Sequence, residues 1–126
     1  GNQLVCSVAL ENINLFKKKH LIGHIQKTSQ TLKQRLEALQ PHKNIGDIRG
    51  RGLMYGVELV ENKSTQTPLD IPTVELIIRR CKENGLMIRN LENVITFVPI
   101  LSMSNKEIKK MVKIFNKALR QTLGKK

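Results

Sequence analysis

The chain has 126 residues, 40% of them apolar and 25% charged, which is the composition of a globular domain and excludes a disordered tail or a collagen-like fibre. No apolar run approaches the ~20 residues that a bilayer crossing needs. Residues 1–6 lack the pattern of a secretory signal. We therefore expect a soluble, cytoplasmic protein with no membrane partner. The 22 basic and 10 acidic residues give a net charge of +12, which favours weak contact with polyanions.

Cysteine and histidine residues are scattered, which does not favour a metal site. Cys6 and Cys81 stand far apart and outside any paired motif. Two buried thiols in a reducing compartment are the expected state, and a disulfide is the alternative. His20 and His24 are four residues apart, but no carboxylate or cysteine joins them. The sequence predicts no metal ligands.

Two amphipathic helices are predicted at the start of the chain. From Gln3 to about Lys18, apolar residues recur every three or four positions, which indicates one helical face. A second helix is predicted from about His20 to Leu39, with Pro41 ending it. We expect apolar side chains of the first helix to be exposed in this chain.

Residues 45–60 hold four glycines and are predicted to form two short strands flanking a glycine-rich bend. The glycines lack both the Walker ending and the dinucleotide-binding spacing, so a tight hairpin is favoured over a phosphate cradle. Residues 61–70 are predicted to be a polar loop. The alternation in the second strand places four side chains on one face: Leu53, Tyr55, Val57 and Leu59.

The remainder of the chain predicts a helix, two strands and a last helix. Pro72 suits the first turn of the next helix, and Gly85 its left-handed C-terminal cap. Residues 86–89 and 94–98 are predicted strands, joined by a turn at residues 90–93. Ser104 and Glu107 predict a capping box. The helix that it opens ends near Gly124 and has this apolar stripe: Ile108, Met111, Val112, Phe115 and Leu119.

The order helix, helix, strand, strand, helix, strand, strand, helix predicts an α+β fold. We expect a small antiparallel sheet with helices packed over one face, the Tyr55 strand in the centre and the last helix over it.

Basic residues form two candidate anion-binding sets. Arg49 and Arg51 occupy alternate positions of a strand and therefore share one side of it. There they either clamp an anion or, as we favour, reach solvent or form an interdomain salt bridge. Lysines of the last helix form either a solvated face, which we favour, or a nucleic-acid stripe: Lys106, Lys109, Lys110, Lys113 and Lys117. No serine, cysteine or aspartate stands in a nucleophile motif, so no catalytic residue is predicted.

Several segments resemble class III aminotransferases. Residues 46–59, GDIRGRGLMYGVEL, resemble that family's G-D-[VI]-R-G-x-G-L-M-x-G-[VI]-E-L. Residues 81–89, CKENGLMIR, match its C-x-x-x-G-L-[LIM]-[LIM]-R segment. Residues 94–101 and 104–108 match a strand, the family's "PPL" corner and the start of its final helix. Gly1 and Asn2, followed by a helix with small residues, resemble a further helix start, so the likeness runs through essentially the whole chain.

The resemblance implies the C-terminal small domain of a pyridoxal-phosphate-dependent enzyme of fold type I. Residues 1–18 are then a connecting helix from a large domain, and residues 19–126 the small α+β domain. Such enzymes are homodimers that move an amino group between an amine or amino acid and a keto acid. Their Schiff-base lysine lies in the large domain. The resemblance therefore implies no cofactor-binding residue here, no pyridoxal phosphate bound to this chain and no activity of the chain alone.

Arg89 and Thr96 are the substrate-binding residues that the resemblance implies. In amine-utilising members, an arginine at the Arg89 position reads the substrate carboxylate, and a planar guanidinium suits it because two parallel donors match two oxygens. The alternative is a strand-end arginine in solvent. Relatives that bind dicarboxylates or ornithine-like acids carry an arginine where this chain has Thr96, which argues against those specificities.

A different function class is a basic α+β interaction module that binds nucleic acid or an acidic partner. It explains the net charge of +12, but that charge is spread over the polar faces of helices. The chain has only four aromatic residues, too few for a platform that stacks single strands. We expect no nucleic-acid partner. The resemblance instead implies small-molecule amine and keto acid substrates, the protein's own large domain and a second copy as partners.

Overall fold

A computed structural model describes residues 1–124, in which four helices and five strands follow the predicted order with one short strand added. Among these residues, no helix combines the length and the apolarity needed to span a bilayer. The helices are α1 Gln3–Lys18, α2 Leu21–Glu37, α3 Ile71–Glu83 and α4 Asn105–Leu123. The strands are β1 Ile45–Arg51, β2 Met54–Asn62, β3 Thr67–Pro68, β4 Arg89–Leu91 and β5 Val94–Phe97.

The sheet is antiparallel throughout, in the order β1-β2-β5-β4, and β3 pairs with the end of β2. The Tyr55 strand, β2, is therefore an inner strand, as predicted. Alternate residues of β2 and β5, together with Ile45 of β1, are buried with residues of α2, α3 and α4 in one core. Phe97 of β5 and Phe115 of α4 meet edge to face, with ring centroids 5.2 Å apart. The prediction of an α+β fold with helices over one face of the sheet is confirmed.

The helix ends are set by the residues that the sequence indicated. The Ser104 hydroxyl accepts from the Glu107 amide, and the Glu107 carboxylate accepts from the Ser104 amide at 2.8 Å. The Ser104 hydroxyl also donates to the Glu107 carboxylate at 2.6 Å, and this bond, together with the one from the Ser104 amide, holds the pKa of Glu107 below its ordinary value. At the end of α3, Gly85 has φ +84°, and the Leu86 amide donates to the Cys81 carbonyl, which is a Schellman cap. All five predicted stripe residues of α4 are buried.

The glycine-rich segment is a tight hairpin, as predicted. Gly52 makes the turn with φ +61°, in the left-handed region. Gly50 lies against β2, where a β-carbon would stand 2.2 Å from the Met54 carbonyl oxygen. The backbones of β1 and β2 therefore approach each other too closely for any larger residue at that position.

Two predicted boundaries were wrong. Residues 61–70 are not only a polar loop, because β2 continues to Asn62 and pairs with β3. Asn62 allows this reversal, since its side chain accepts from the amides of Ser64 and Thr65. Residues 86–89 were predicted as a strand, but residues 86–88 have no strand pairing in the described chain. The strand runs over Arg89–Leu91 instead. The turn is correspondingly shorter, at residues 92–93.

Helix α1 stands outside the core. None of its residues is buried, which agrees with the expectation of exposed apolar side chains on this helix. Asn2 caps its start by accepting from the Leu4 amide at 3.0 Å. Its large exposed apolar side chains are Leu4, Val5, Val8, Leu10, Ile13 and Leu15.

The expectation of two buried thiols was wrong for Cys6. Cys81 is buried in the core, but Cys6 lies exposed on α1, and both are free thiols. Cys6 falls among apolar residues in the sequence, yet no element among residues 1–124 covers it on α1. Burial raises the pKa of the Cys81 thiol to about 11.

Gly50→Ala is expected to lower the free energy of unfolding by about 2–3 kcal/mol, because the new methyl group meets the backbone of β2. Gly23→Ala is the control. It lies in α2, a β-carbon there has no neighbour within 4 Å, and alanine favours a helix, so stability should stay level or rise by up to ~1 kcal/mol. Urea denaturation followed by circular dichroism measures both. A similar loss in the two variants would contradict the steric explanation.

The two thiols are expected to react at very different rates with Ellman's reagent near pH 8, where a thiol of ordinary pKa is partly ionised. Cys6 is exposed and should react at once, whereas Cys81 is buried and protonated and should react only after denaturation. Counting the released thionitrobenzoate before and after adding guanidinium tests this, with Cys6→Ser as the control. Fast release of two equivalents from the native chain would show that Cys81 is accessible.

Candidate functional site

Four residues form one row across the outer face of the sheet, which the helices leave bare. Arg49 of β1 pairs with Gly56 of β2, Gly56 with Thr96 of β5, and Thr96 with Arg89 of β4. Strands lie ~4.8 Å apart, so about 14 Å separates the two arginine backbones across three intervals. The predicted substrate-binding residues Arg89 and Thr96 are thus direct neighbours, and Arg49 stands at the far end of the same row.

The two arginines of this row differ in their partners. The Arg49 guanidinium donates to Asp47 at 3.0 Å and to Glu58 at 2.5 Å, and these bonds, the one to Glu58 foremost, raise its pKa. Arg49 therefore pairs with two carboxylates of its own sheet, while its side chain stays 56% exposed, as the solvent interpretation expects. The Arg89 guanidinium has no hydrogen-bond or ion-pair partner among residues 1–124. Arg89 can take an anion without breaking an existing pair.

Thr96 contributes to the position of Arg89 rather than to its charge. Its hydroxyl donates to the carbonyl oxygen of Arg89, its partner in the register of β4 and β5, at 3.1 Å. The bond ties the first residue of the short strand β4 to β5. Arg51 is exposed beside Met54 on the same sheet face and has no ion-pair partner in the described residues, as the solvent interpretation expects.

A cleft of about 750 Å³ begins where the β4–β5 ladder ends. It is lined by the segments on both sides of that end, residues 86–89 and 96–100, and by Met54, Met103 and Met111. Pro99 has no amide hydrogen and cannot extend β5, which leaves the two segments unpaired beyond Arg89 and Thr96. His24 of α2 donates from Nε2 to the Met103 carbonyl oxygen at 3.0 Å, which holds the segment before α4 in place. Arg89 supplies the positive charge at the edge of this mostly apolar space.

The methionines of this cleft had no signal in the sequence, because they are spread over residues 54–111 and converge only in three dimensions. Asp47 and Glu58, the partners of Arg49, were also missed. A signal existed for Asp47, since residues two apart on a strand share a face.

The cleft does not fit pyridoxal phosphate by itself. No lysine, which the aldehyde requires, and no carboxylate lines it within the described chain. The exposed lysines of α4 lie beside a different groove, which is lined by polar and basic side chains such as Asn84, Lys113 and Lys117. No step through the cofactor follows from residues of this chain.

Among residues 1–124, no three histidine, cysteine or acidic side chains converge where they could hold a metal ion. The five predicted lysines of α4 are all exposed, and no ion pair in the described part of the chain involves them. This surface matches the expected solvated face.

The family model described as aminotransferase class-III matches residues 1–119. The chain is 65% identical over all 126 residues to the adenosylmethionine-8-amino-7-oxononanoate aminotransferase of Staphylococcus aureus, and it covers 28% of that relative.

Solved structures agree with the sequence comparison. The adenosylmethionine-8-amino-7-oxononanoate aminotransferase of Methanocaldococcus jannaschii superposes with a TM-score of 0.90 at 34% identity, over 97% of this chain and 28% of the other. A thermostable omega transaminase from Pseudomonas jessenii, a 6-fold mutant, gives a TM-score of 0.88 at 29% identity, over 94% of this chain and 27% of the other. The chain thus spans little more than a quarter of the length of the relatives it matches.

Proposed function

The chain belongs to the class III aminotransferase family, and from that premise we propose that it forms the C-terminal small domain of a pyridoxal-phosphate-dependent aminotransferase and binds the carboxylate of its substrate through Arg89. The observation that carries this proposal is the unpaired Arg89 guanidinium at the edge of an apolar cleft. The other arginine of the row, Arg49, already pairs with two carboxylates, and its role in this proposal is structural.

The chemistry of a carboxylate fits this position. A guanidinium offers two parallel N–H donors to the two carboxylate oxygens, and the apolar surroundings reduce competition from water. Thr96 keeps the Arg89 backbone tied to β5, so the guanidinium starts from a fixed point on the sheet. The role of this chain's own residues is therefore to bind and orient the substrate.

The proposed substrates are the two compounds in the name of the Staphylococcus aureus relative, to which the chain is 65% identical over all 126 residues. We propose 8-amino-7-oxononanoate as the amino acceptor and adenosylmethionine as the donor. The acceptor has a carboxylate at one end of an unbranched aliphatic chain and a keto group near the other. That combination matches an arginine beside an apolar cleft.

The family implies pyridoxal phosphate in the full-length enzyme, where it carries the amino group between donor and acceptor. Under this proposal its covalent lysine and its phosphate site lie outside this chain, and the chain alone is inactive. Residues 1–18 connect to the large domain, which covers the exposed apolar side chains of α1. The homodimer and the cytoplasmic location are parts of the proposal that rest on the family resemblance.

Arg89→Ala in the full-length protein is expected to raise the Michaelis constant for the acid acceptor by ~10–150-fold, since a charge-assisted pair contributes roughly 1.5–3 kcal/mol. A substitute amine donor without a carboxylate should be nearly unaffected, whereas adenosylmethionine carries a carboxylate of its own and is not the neutral control. Arg89→Lys should recover only part of the loss, because an ammonium cannot make two parallel bonds. Steady-state kinetics with each substrate varied in turn test this. Equal losses for the acid and for the neutral amine would make Arg89 a structural residue.

The chain alone is expected not to shift the absorbance spectrum of added pyridoxal phosphate and to retain none of it after dialysis. It should also show no transaminase turnover. The exposed lysines of α4 offer only weak and reversible reaction with the aldehyde. The full-length protein, in the same buffer, is the positive control. Stoichiometric pyridoxal phosphate retained by the chain after dialysis would contradict the assignment of the cofactor site to the rest of the protein.

A further inference from the structure

All four methionines of the chain line the cleft beside Arg89: Met54, Met87, Met103 and Met111. They come from four separate places, namely the start of β2, the segment after α3, the segment before α4 and α4 itself. Methionine is flexible and polarizable, and its side chain adapts to the shape of an apolar partner. Their convergence on one cleft gives this surface a common chemical character.

The four methionines divide into a floor and a rim. Met111 is 8% exposed and Met103 is part-buried, so these two form the floor. Met54 is 66% exposed and Met87 is 87% exposed, and these two form the rim. Val98 and Ile100, also exposed, extend this apolar border. Exposed apolar side chains grouped around a cleft indicate a surface that an apolar partner covers.

We propose that Met54 and Met87 are specificity-determining residues, which enclose the unbranched aliphatic chain of a substrate whose carboxylate pairs with Arg89. This inference rests on the proposed function for the identity of the substrate. The cleft volume of about 750 Å³ lies within the range of small-molecule sites. The free guanidinium supplies the charge complementarity, and the methionines supply the apolar wall next to it.

The competing occupant of the rim is the remainder of the protein. If Met54 and Met87 only pack against another domain, a small carboxylate gains nothing from them. Binding would then depend on the charge of Arg89 and not on the length of the aliphatic chain.

The experiment titrates the 126-residue chain, labelled with ¹³C at the methionine methyl groups, with butanoate, hexanoate and octanoate. The methyl signals are assigned by single Met→Leu variants, and their shifts report binding in the cleft directly. The dissociation constant should fall roughly two- to fourfold for each added methylene group that leaves water. No cofactor and no turnover are needed, so this measurement stands apart from the test of the proposed function.

Matched variants separate the two contributions. Met87→Gln and Met54→Gln should flatten the dependence on chain length and leave butanoate nearly unchanged. Leu91→Gln is the control. Leu91 lies on β4, two residues after Arg89, and is 71% exposed, but it is outside the cleft. Arg89→Gln should weaken all three carboxylates by a similar factor of about ten, the size expected for a charged hydrogen bond. Arg79→Gln, an exposed arginine of α3, removes the same charge elsewhere.

An affinity that does not depend on chain length, methyl signals that do not shift, or equal effects of Met87→Gln and Leu91→Gln would each overturn the inference. A full-length enzyme that lacks transamination while the chain retains the length dependence would overturn the proposed function but leave the methionine cleft as a carboxylate site. Transamination without any length dependence would overturn the inference alone.

Discussion

The antiparallel pairing of β4 with β5 stops at Arg89 and Thr96, and the rest of the site depends on that stop. On one side, the left-handed turn at Gly85 directs the Leu86 amide back to α3. On the other side, Pro99 has no amide hydrogen to offer. Because neither segment continues the ladder, the space between the two segments is not closed by backbone hydrogen bonds, and their side chains line it. The result is an apolar cleft with an arginine at its edge.

The row across the sheet explains why two similar arginines have different roles. Both Arg49 and Arg89 face away from the core on the same register line, yet among residues 1–124 only Arg49 of the two pairs with acidic side chains. Asp47 lies two residues away on its own strand, and Glu58 lies on the adjacent strand. β4 is only three residues long and brings no carboxylate to Arg89. Of the two arginines in the row, the one without a carboxylate partner in the described chain is therefore Arg89, at the end of the ladder.

The sequence predicted the helices, the β1–β2 hairpin and the buried face of α4 because each depends on local periodicity, capping or backbone sterics. It did not predict β3 or the true start of β4, since these depend on whether a partner strand is within reach. Cys6 was misjudged for the same reason: an apolar helix is buried only where something covers it. Arg89 and Thr96 were inferred as substrate-binding residues from the family resemblance. That the Arg89 guanidinium has no partner among residues 1–124 could be seen only once the strand register was known.

Net charge is a poor guide to the anion site that we propose for this chain. The lysines of α4 carry much of the surplus of +12, but they are exposed to solvent, where the attraction between two unit charges is weak and screened by salt. Arg89 is a single charge, yet it lies at the edge of a cleft that is lined mostly by apolar side chains. Its planar donors add a geometric requirement that an ammonium does not impose. The proposed selectivity for a carboxylate therefore rests on the place of one arginine in the fold, and not on the number of basic residues.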